Sequence, residues 1–230
     1  SAAPRELHVL GDDPNIAEVL SRSGAKATTW GFGECCDWRV SDVATAGMST
    51  EFSLTGPCGD LGRFSMPVPG EYNALNMAAA ISVAMGEGIA PGILKEAVAT
   101  YTGMENRFTC VPVGKALIVK DYISHPSGIR AVIQTARKFG HGRVITVFKP
   151  YRFTMIHYLG DEYSEAFKGA DHTFITEMYT AGEVPIPGVD TDWLVSKIRS
   201  AGSTVSYVPA MNDLVPRILD TMRPDDTVIF

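Results

Sequence analysis

The sequence predicts an α/β protein. Its second half reads as a doubly wound parallel sheet, and a smaller part that mixes helices with antiparallel hairpins precedes it. Three observations predict this. From Cys110 onward, short apolar runs alternate with stretches of crossover-helix length, the pattern of buried parallel strands and their connections. Between Asp37 and Pro69, apolar and polar residues alternate with turn residues between them, the pattern of hairpins. Of the 230 residues, 45% are hydrophobic and 20% charged, which provides for a buried core and excludes a disordered chain.

Taken in order, "ELHVLG" reads as a strand and "DDPNIAEVLSRSG" as a helix, with Asp12 or Asp13 as its cap and Pro14 in its first turn. "AKATTWGFG" reads as a second strand. Residues 37–69 then form antiparallel strands and hairpins. "NALNMAAAISVAMGEG" is an apolar helix ending at Gly88, and "APGILKEAVATYTG" is another that ends in glycine. The texture changes near residues 108–112, where a domain boundary is expected. Beyond it, "ALIVKDY", "RVITVFKP", "HTFITEM", "TVSYVPA" and "DTVIF" read as parallel strands. The stretches "PSGIRAVIQTARKFG", "MIHYLGDEYSEAFKGA", "DTDWLVSKIRSAG" and "MNDLVPRILDTMR" read as the helices between them. The chain starts almost directly in a core-like strand and stops inside "DTVIF", so the natural protein is expected to be longer at both ends.

A net charge of −6 argues against a general nucleic-acid binder. No apolar run approaches the roughly 18–20 residues a membrane helix needs. The N-terminus shows no signal-peptide pattern. Cys35, Cys36, Cys58 and Cys110 show no CxxC pair and read as reduced thiols, which places the protein in the cytoplasm. His8, His141, His157 and His172 are scattered and form no ligand set, so no metal site is expected from them. The phosphate loop GxxxxGK[ST], the dinucleotide fingerprint GxGxxG, the GxSxG elbow and HExxH are all absent.

In open α/β sheets, ligands bind beyond the carboxyl ends of the strands. Three stretches occupy such ends: "DYISHP", "KPYRF" and "EMYTAGEVPIPG". Asp121 is placed to accept from ribose hydroxyls, and Tyr122 and His125 to orient a substrate. The plainer alternative is a turn in which Ser124 or Ser127 caps a helix begun by Pro126. Lys149 and Arg152 make an anion site or a pair of solvated bases. Glu183 lies in a rigid turn, as a substrate contact or a surface acid. Asn73 and Asn76, three apart at a helix start, share a face. They read an adenine edge, which both donates and accepts, or they serve as a cap and a polar surface residue. Arg107 in "ENRF" reaches a phosphate or pairs with an acid.

Together these stretches resemble the Mur ligases, the ATP-dependent amide-forming enzymes of peptidoglycan synthesis. The family pattern PGxHNxxNAxAA appears as "PGEYNALNMAAA", RRF as "NRF", DDYxHHPTEI as "KDYISHPSGI", QPHRYTR as "KPYRFTM" and YxAGExPIxG as "YTAGEVPIPG". Each piece is weak alone, but the ordered series runs over nearly the whole chain. The resemblance implies that residues 1–108 are the latter part of a central ATP-binding domain, and that residues 109–230 are a Rossmann-like, amino-acid-binding C-terminal domain. It implies ATP contacts at Asn73, Asn76, Arg107 and Asp121, and places Tyr122, His125, Lys149, Arg152 and Glu183 on the substrate face. It implies ATP and Mg2+ as cofactors, with the phosphate loop and most magnesium ligands outside this chain, so that the chain alone is expected not to turn over. The substrates implied are a UDP-muramoyl donor and an amino acid, L-alanine in the nearest branch, or a peptide. No nucleic-acid or membrane partner is implied. The pattern departs at Ser124, Gly128, Tyr151 and Met155, where the family carries His, Glu, His and Arg. These departures fall on the substrate side and leave open a ligase with another acceptor or donor, or a degenerate binding module.

Overall fold

A computed structural model describes residues 6–139 and 142–230. The readings made at residues 1–5 and at His141 lie outside the described residues. The chain divides into two compact units, Ser1–Gly103 and Met104–Phe230.

The first unit holds β1 (His8–Leu10), α1 (Pro14–Ser23), β2 (Thr28–Gly31), β3 (Trp38–Ala46), β4 (Ser49–Gly56), β5 (Gly59–Met66), α2 (Glu71–Gly86) and α3 (Pro91–Thr100). Its sheet runs β1-β2-β3-β4-β5; the first three strands are parallel and the last three form antiparallel hairpins. Asp13 caps α1 by accepting from the Asn15 N–H, and Pro14 opens the helix. Asp12 instead holds the loop after β2, where its two carboxylate oxygens accept from the Phe32 and Gly33 N–H groups at 2.6 and 2.9 Å. One face of the hairpins packs Val40, Phe52, Leu54, Phe64 and Met66 against the small residues Ala74 and Ala78 of α2. Those alanines let the helix lie close to the sheet. Gly56 is required for a similar reason, since a Cβ there would meet the Trp38 ring at 2.7 Å.

The second unit holds β6 (Thr109–Val113), β7 (Ala116–Lys120), α4 (Pro126–Phe139), β8 (Val144–Phe148), α5 (Phe153–Tyr158), α6 (Gly160–Ala166), β9 (His172–Ile175), α7 (Thr191–Ser200), β10 (Val205–Tyr207), α8 (Met211–Thr221) and β11 (Thr227–Ile229). The sheet order is β10-β9-β8-β11-β7-β6; all neighbours are parallel except β6, which pairs antiparallel with β7. Strands β8, β9 and β10 step outward one after another, and β11 returns to lie between β8 and β7. On one face Ile145, Phe174 and Val228 pack against Leu214 and Ile218 of α8. On the other, α4 packs on β8 and α6, and α6 on α7.

Two features depart from the sequence reading. β6 forms where no strand is predicted; it is an edge strand with Pro112 in it, and most of its side chains are exposed. The single helix expected from "MIHYLGDEYSEAFKGA" is two short helices that meet at Leu159 (φ −110°). Gly160 lies against Trp193 there: a Cβ on it would sit 2.5 Å from the indole. At the opposite edge of the sheet from the strand ends, the Asp226 carboxylate accepts from the Arg143 N–H, Nε and Nη2 and from the Arg223 N–H, at 2.6–3.3 Å. This joins the start of β8 to the start of β11. Among the described residues no helix is long and apolar enough to cross a membrane.

Candidate functional site

The parallel strands of the second unit all end on one edge, and a cavity of about 660 Å³ opens there. Residues that immediately follow strands contribute to its wall: Asp121 after β7, Lys149 after β8, Thr176 after β9 and Phe230 after β11. Met211 and Leu214, in the first turn of α8, close another side. This is the crevice that the doubly wound topology leaves where a strand returns between earlier ones.

Asp121 is the most constrained polar group. Its side chain is 3% exposed. Its Oδ2 accepts from the Phe108 N–H at 3.0 Å, while Oδ1 is buried without a hydrogen bond and lies 3.9 Å from Arg107 Nη1. Burial pushes the Asp121 carboxyl above its ordinary value, and the Phe108 N–H and Arg107 only partly offset this. Arg107 Nη1 in turn donates to the Tyr122 carbonyl at 2.8 Å. The turn that aims the Phe108 N–H is strained, since Asn106 and Phe108 hold φ of 58° and 47° without being glycine. Tyr122 is 78% exposed at the cavity mouth.

Thr176 is 1% exposed, and its hydroxyl has no hydrogen-bond partner. Next to it lies an aromatic and basic group. The Tyr151 and Tyr179 rings stack at 5.7 Å and their backbones form a parallel bridge. Lys149 Nζ lies 5.6 Å from the Tyr179 ring centre, and the Arg152 guanidinium 5.1 Å from that of Tyr151. Arg152 adopts φ 64°, another strained position beside the cavity.

Of the residues read from the sequence, the cavity wall brings together Asp121, Tyr122 and Lys149. Arg107 touches it through Asp121. His125, Arg152 and Glu183 are not part of the wall. His125 stands just before Pro126 and accepts there from the Ser127 N–H at 3.4 Å, with the Ser127 hydroxyl 2.8 Å from the same Nδ1. The helix entrance is thus capped by the imidazole rather than by Ser124 or Ser127 as a side-chain cap. Glu183 accepts from the Thr154 hydroxyl and N–H at 2.6 and 3.0 Å, which fixes the start of α5, and these bonds hold its pKa below the ordinary value. Its Oε1 also lies 3.9 Å from Arg152 Nη1. Asn73 and Asn76 belong to the first unit. Asn73 donates from Nδ2 to the Pro69 carbonyl at 2.7 Å, at the start of α2, and Asn76 is exposed. Among the described residues no group of three or more His, Cys, Asp and Glu is placed to hold a metal ion. Sequence reading missed Thr176, Met211 and Leu214. Thr176 was missed because the strand was read as running through "HTFITEM", whereas β9 ends at Ile175.

Such a sheet, with a mostly apolar cavity and a few convergent polar groups at its strand ends, defines a ligand-binding α/β domain. Residues 106–230 match the family model "Mur ligase, glutamate ligase domain". The chain belongs to the Mur ligase family. It is 34% identical over 220 residues to the UDP-N-acetylmuramate–L-alanine ligase of Solibacter usitatus, covering 95% of this chain and 47% of that protein. With the ligase of the same name from Sorangium cellulosum it shares 35% over 223 residues, covering 95% and 48%. The chain therefore spans about half the length of the relatives it matches. Among solved structures, the Thermotoga maritima UDP-N-acetylmuramate–alanine ligase superposes with TM-score 0.74 at 19% identity, covering 98% of this chain and 47% of that one. The T. maritima MurF ligase, solved in complex with ADP, gives 0.69 at 17% identity, covering 97% and 48%.

Proposed function

We propose that this chain is part of an ATP-dependent ligase that joins an amino acid to a UDP-N-acetylmuramoyl carboxylate in the cytoplasm. The observation that carries the reading is the Mur family match over the unit that holds the cavity, with Asp121 at its wall. ATP would supply the phosphoryl group that turns the carboxylate into an acyl phosphate and leave as ADP; the amine of the amino acid would then displace inorganic phosphate to form the amide. Mg2+, which the family resemblance implies, would supply neutralisation of the transferring charge, although among the described residues no group of three or more His, Cys, Asp and Glu is placed to hold it.

Asp121 suits a nucleotide contact. An acceptor oxygen kept buried without a donor is costly unless a ligand hydroxyl supplies one. Arg107, half exposed beside it, suits a phosphate. Asn73 and Asn76 are proposed as adenine contacts, argued within their own unit from their shared helix face. Tyr122, His125 and Lys149, with Arg152 and Glu183 at the loop after β9, are proposed for the substrate side; Glu183 acts by fixing the segment that carries Arg152.

The test starts with the natural gene upstream of the Ser1 codon. A GTxGKT-like loop in frame is expected, and the encoded protein should release phosphate from ATP only with both UDP-N-acetylmuramate and an amino acid. A frame without that loop would leave a nucleotide-binding relative of the ligases and end the catalytic reading.

A further inference from the structure

The cavity is larger than the relatives' amino acid, alanine, requires. We infer that it takes an amino acid with a large apolar side chain, its carboxylate meeting Lys149 and its side chain lying among Ile123, Phe148, Leu214 and Met211. This rests on the ligase reading above, because it identifies the amine-bearing substrate of that same site.

Three observations carry it. The first is size. At about 660 Å³ the space falls in the range of roughly 300–1,000 Å³ that encloses ligands much bulkier than alanine, and its wall is mainly apolar. A side chain of one methyl would leave most of that wall against water, which the hydrophobic effect opposes. The second is how the apolar wall is made. A Cβ built on Gly128 would sit 2.2 Å from Ile123 Cδ1, so Ile123 occupies the space where any side chain at 128 would start. The family pattern has an acid at that position. Its replacement by glycine seats an aliphatic side chain in the wall. Tyr151, where the pattern has His, adds a ring stacked on Tyr179. The third is the polar endowment. Lys149 is exposed at a strand end, has no acidic partner among the described residues, and stands ready for a carboxylate. Thr176 lines the same space, and its buried hydroxyl has no partner. One cation, the Asp121 carboxylate and one unpartnered hydroxyl beside an apolar wall fit an amino acid better than a polyanion.

The test is binding to the full chain, by isothermal titration calorimetry with L-phenylalanine, L-leucine and L-alanine. The expected result is that phenylalanine or leucine binds at least about tenfold more tightly than alanine, the size of discrimination that added methylenes give in an apolar pocket. Met211→Trp, which fills the rim from an exposed position, should weaken the larger ligand severalfold. Thr176→Val, equal in shape, should weaken it without changing the melting temperature by more than a few degrees. Alanine binding as tightly as the others, no binding by any of the three, or indifference to Met211→Trp would each overturn the inference. Phosphate release by the protein that the natural gene encodes, with alanine but not with phenylalanine or leucine, would overturn it and leave the ligase reading standing. Tight phenylalanine or leucine binding by the chain, without amino-acid-dependent phosphate release by the protein that the natural gene encodes, would keep the inference and remove the ligase reading.

Discussion

Replacing Asp226 by alanine should cost the second unit about 3 kcal/mol. The carboxylate is 1% exposed, pairs with Arg143 at 2.6 Å, and accepts three hydrogen bonds from Arg143 and one from the Arg223 backbone. Removing one member of a buried pair costs about 3–5 kcal/mol, because the other charge is left without compensation. Arg143 is 26% exposed and recovers some hydration, which puts the cost at the lower end. With a urea m-value of about 2 kcal/mol/M, the midpoint should fall by about 1.5 M. Trp193 is the one tryptophan of the second unit, so its fluorescence in a Trp30→Phe/Trp38→Phe background reports that unit. Burial pushes the Asp226 carboxyl up, but the bonds from Arg143 and Arg223 outweigh it and leave its pKa below the ordinary value. A carboxylate with a lowered folded pKa contributes stability above its unfolded pKa of about 3.9 and loses it as pH falls through the folded value. The gap between the wild type and Asp226→Ala should therefore narrow in acid. Arg143→Met combined with Asp226→Leu should recover at least half the loss. A loss under about 1 kcal/mol for the single variant, or a double variant as unstable as the single, would refute the reasoning.

Asp121→Asn should raise stability at pH 7 by about 0.5–1 kcal/mol, as relief of a site kept for function often does. The raised pKa gives the sign: the ionised form is disfavoured in the folded state, so the gain should disappear in acid. The same variant should weaken ADP binding, and unchanged affinity would remove Asp121 from the nucleotide site. Gly160→Val should destabilise by about 1–3 kcal/mol in urea titration, since its branches would be driven into the Trp193 ring. Cys110, whose thiol burial pushes up to about 11, should resist iodoacetamide at pH 8 while the exposed Cys35 and Cys58 react, as read by peptide mass spectrometry.

The second sheet was legible because parallel strands covered on both faces must be apolar throughout, as in "VITVF", and glycine and proline mark where they stop. β6 was not, since Pro112 and its exposed side chains carry neither an apolar run nor a clean alternation. The break at Leu159 was hidden because the apolar spacing continues through it; the indole of Trp193, distant in sequence, packs on Gly160 there. In the site, Asp121 and Lys149 were legible from their places after strands. The group that fixes Asp121 was not, because the donor is a backbone N–H presented by a strained turn and any residue can carry one. Thr176 was hidden by its type: threonine is ordinary in strands, and only three dimensions show its hydroxyl without a partner.

The strand β11 comes after every other strand in the chain yet lies inside the sheet, hydrogen-bonded to β7 on one side and β8 on the other. During synthesis the ribosome therefore releases β7 and β8 long before the strand that joins them. Until residues 227–229 emerge, two five-residue, largely apolar edges stand open to other nascent chains or to chaperones. Assembly of this unit waits on pairings more than a hundred residues apart for β7 and more than eighty for β8, which makes its folding slow and its half-made state the one most exposed to capture.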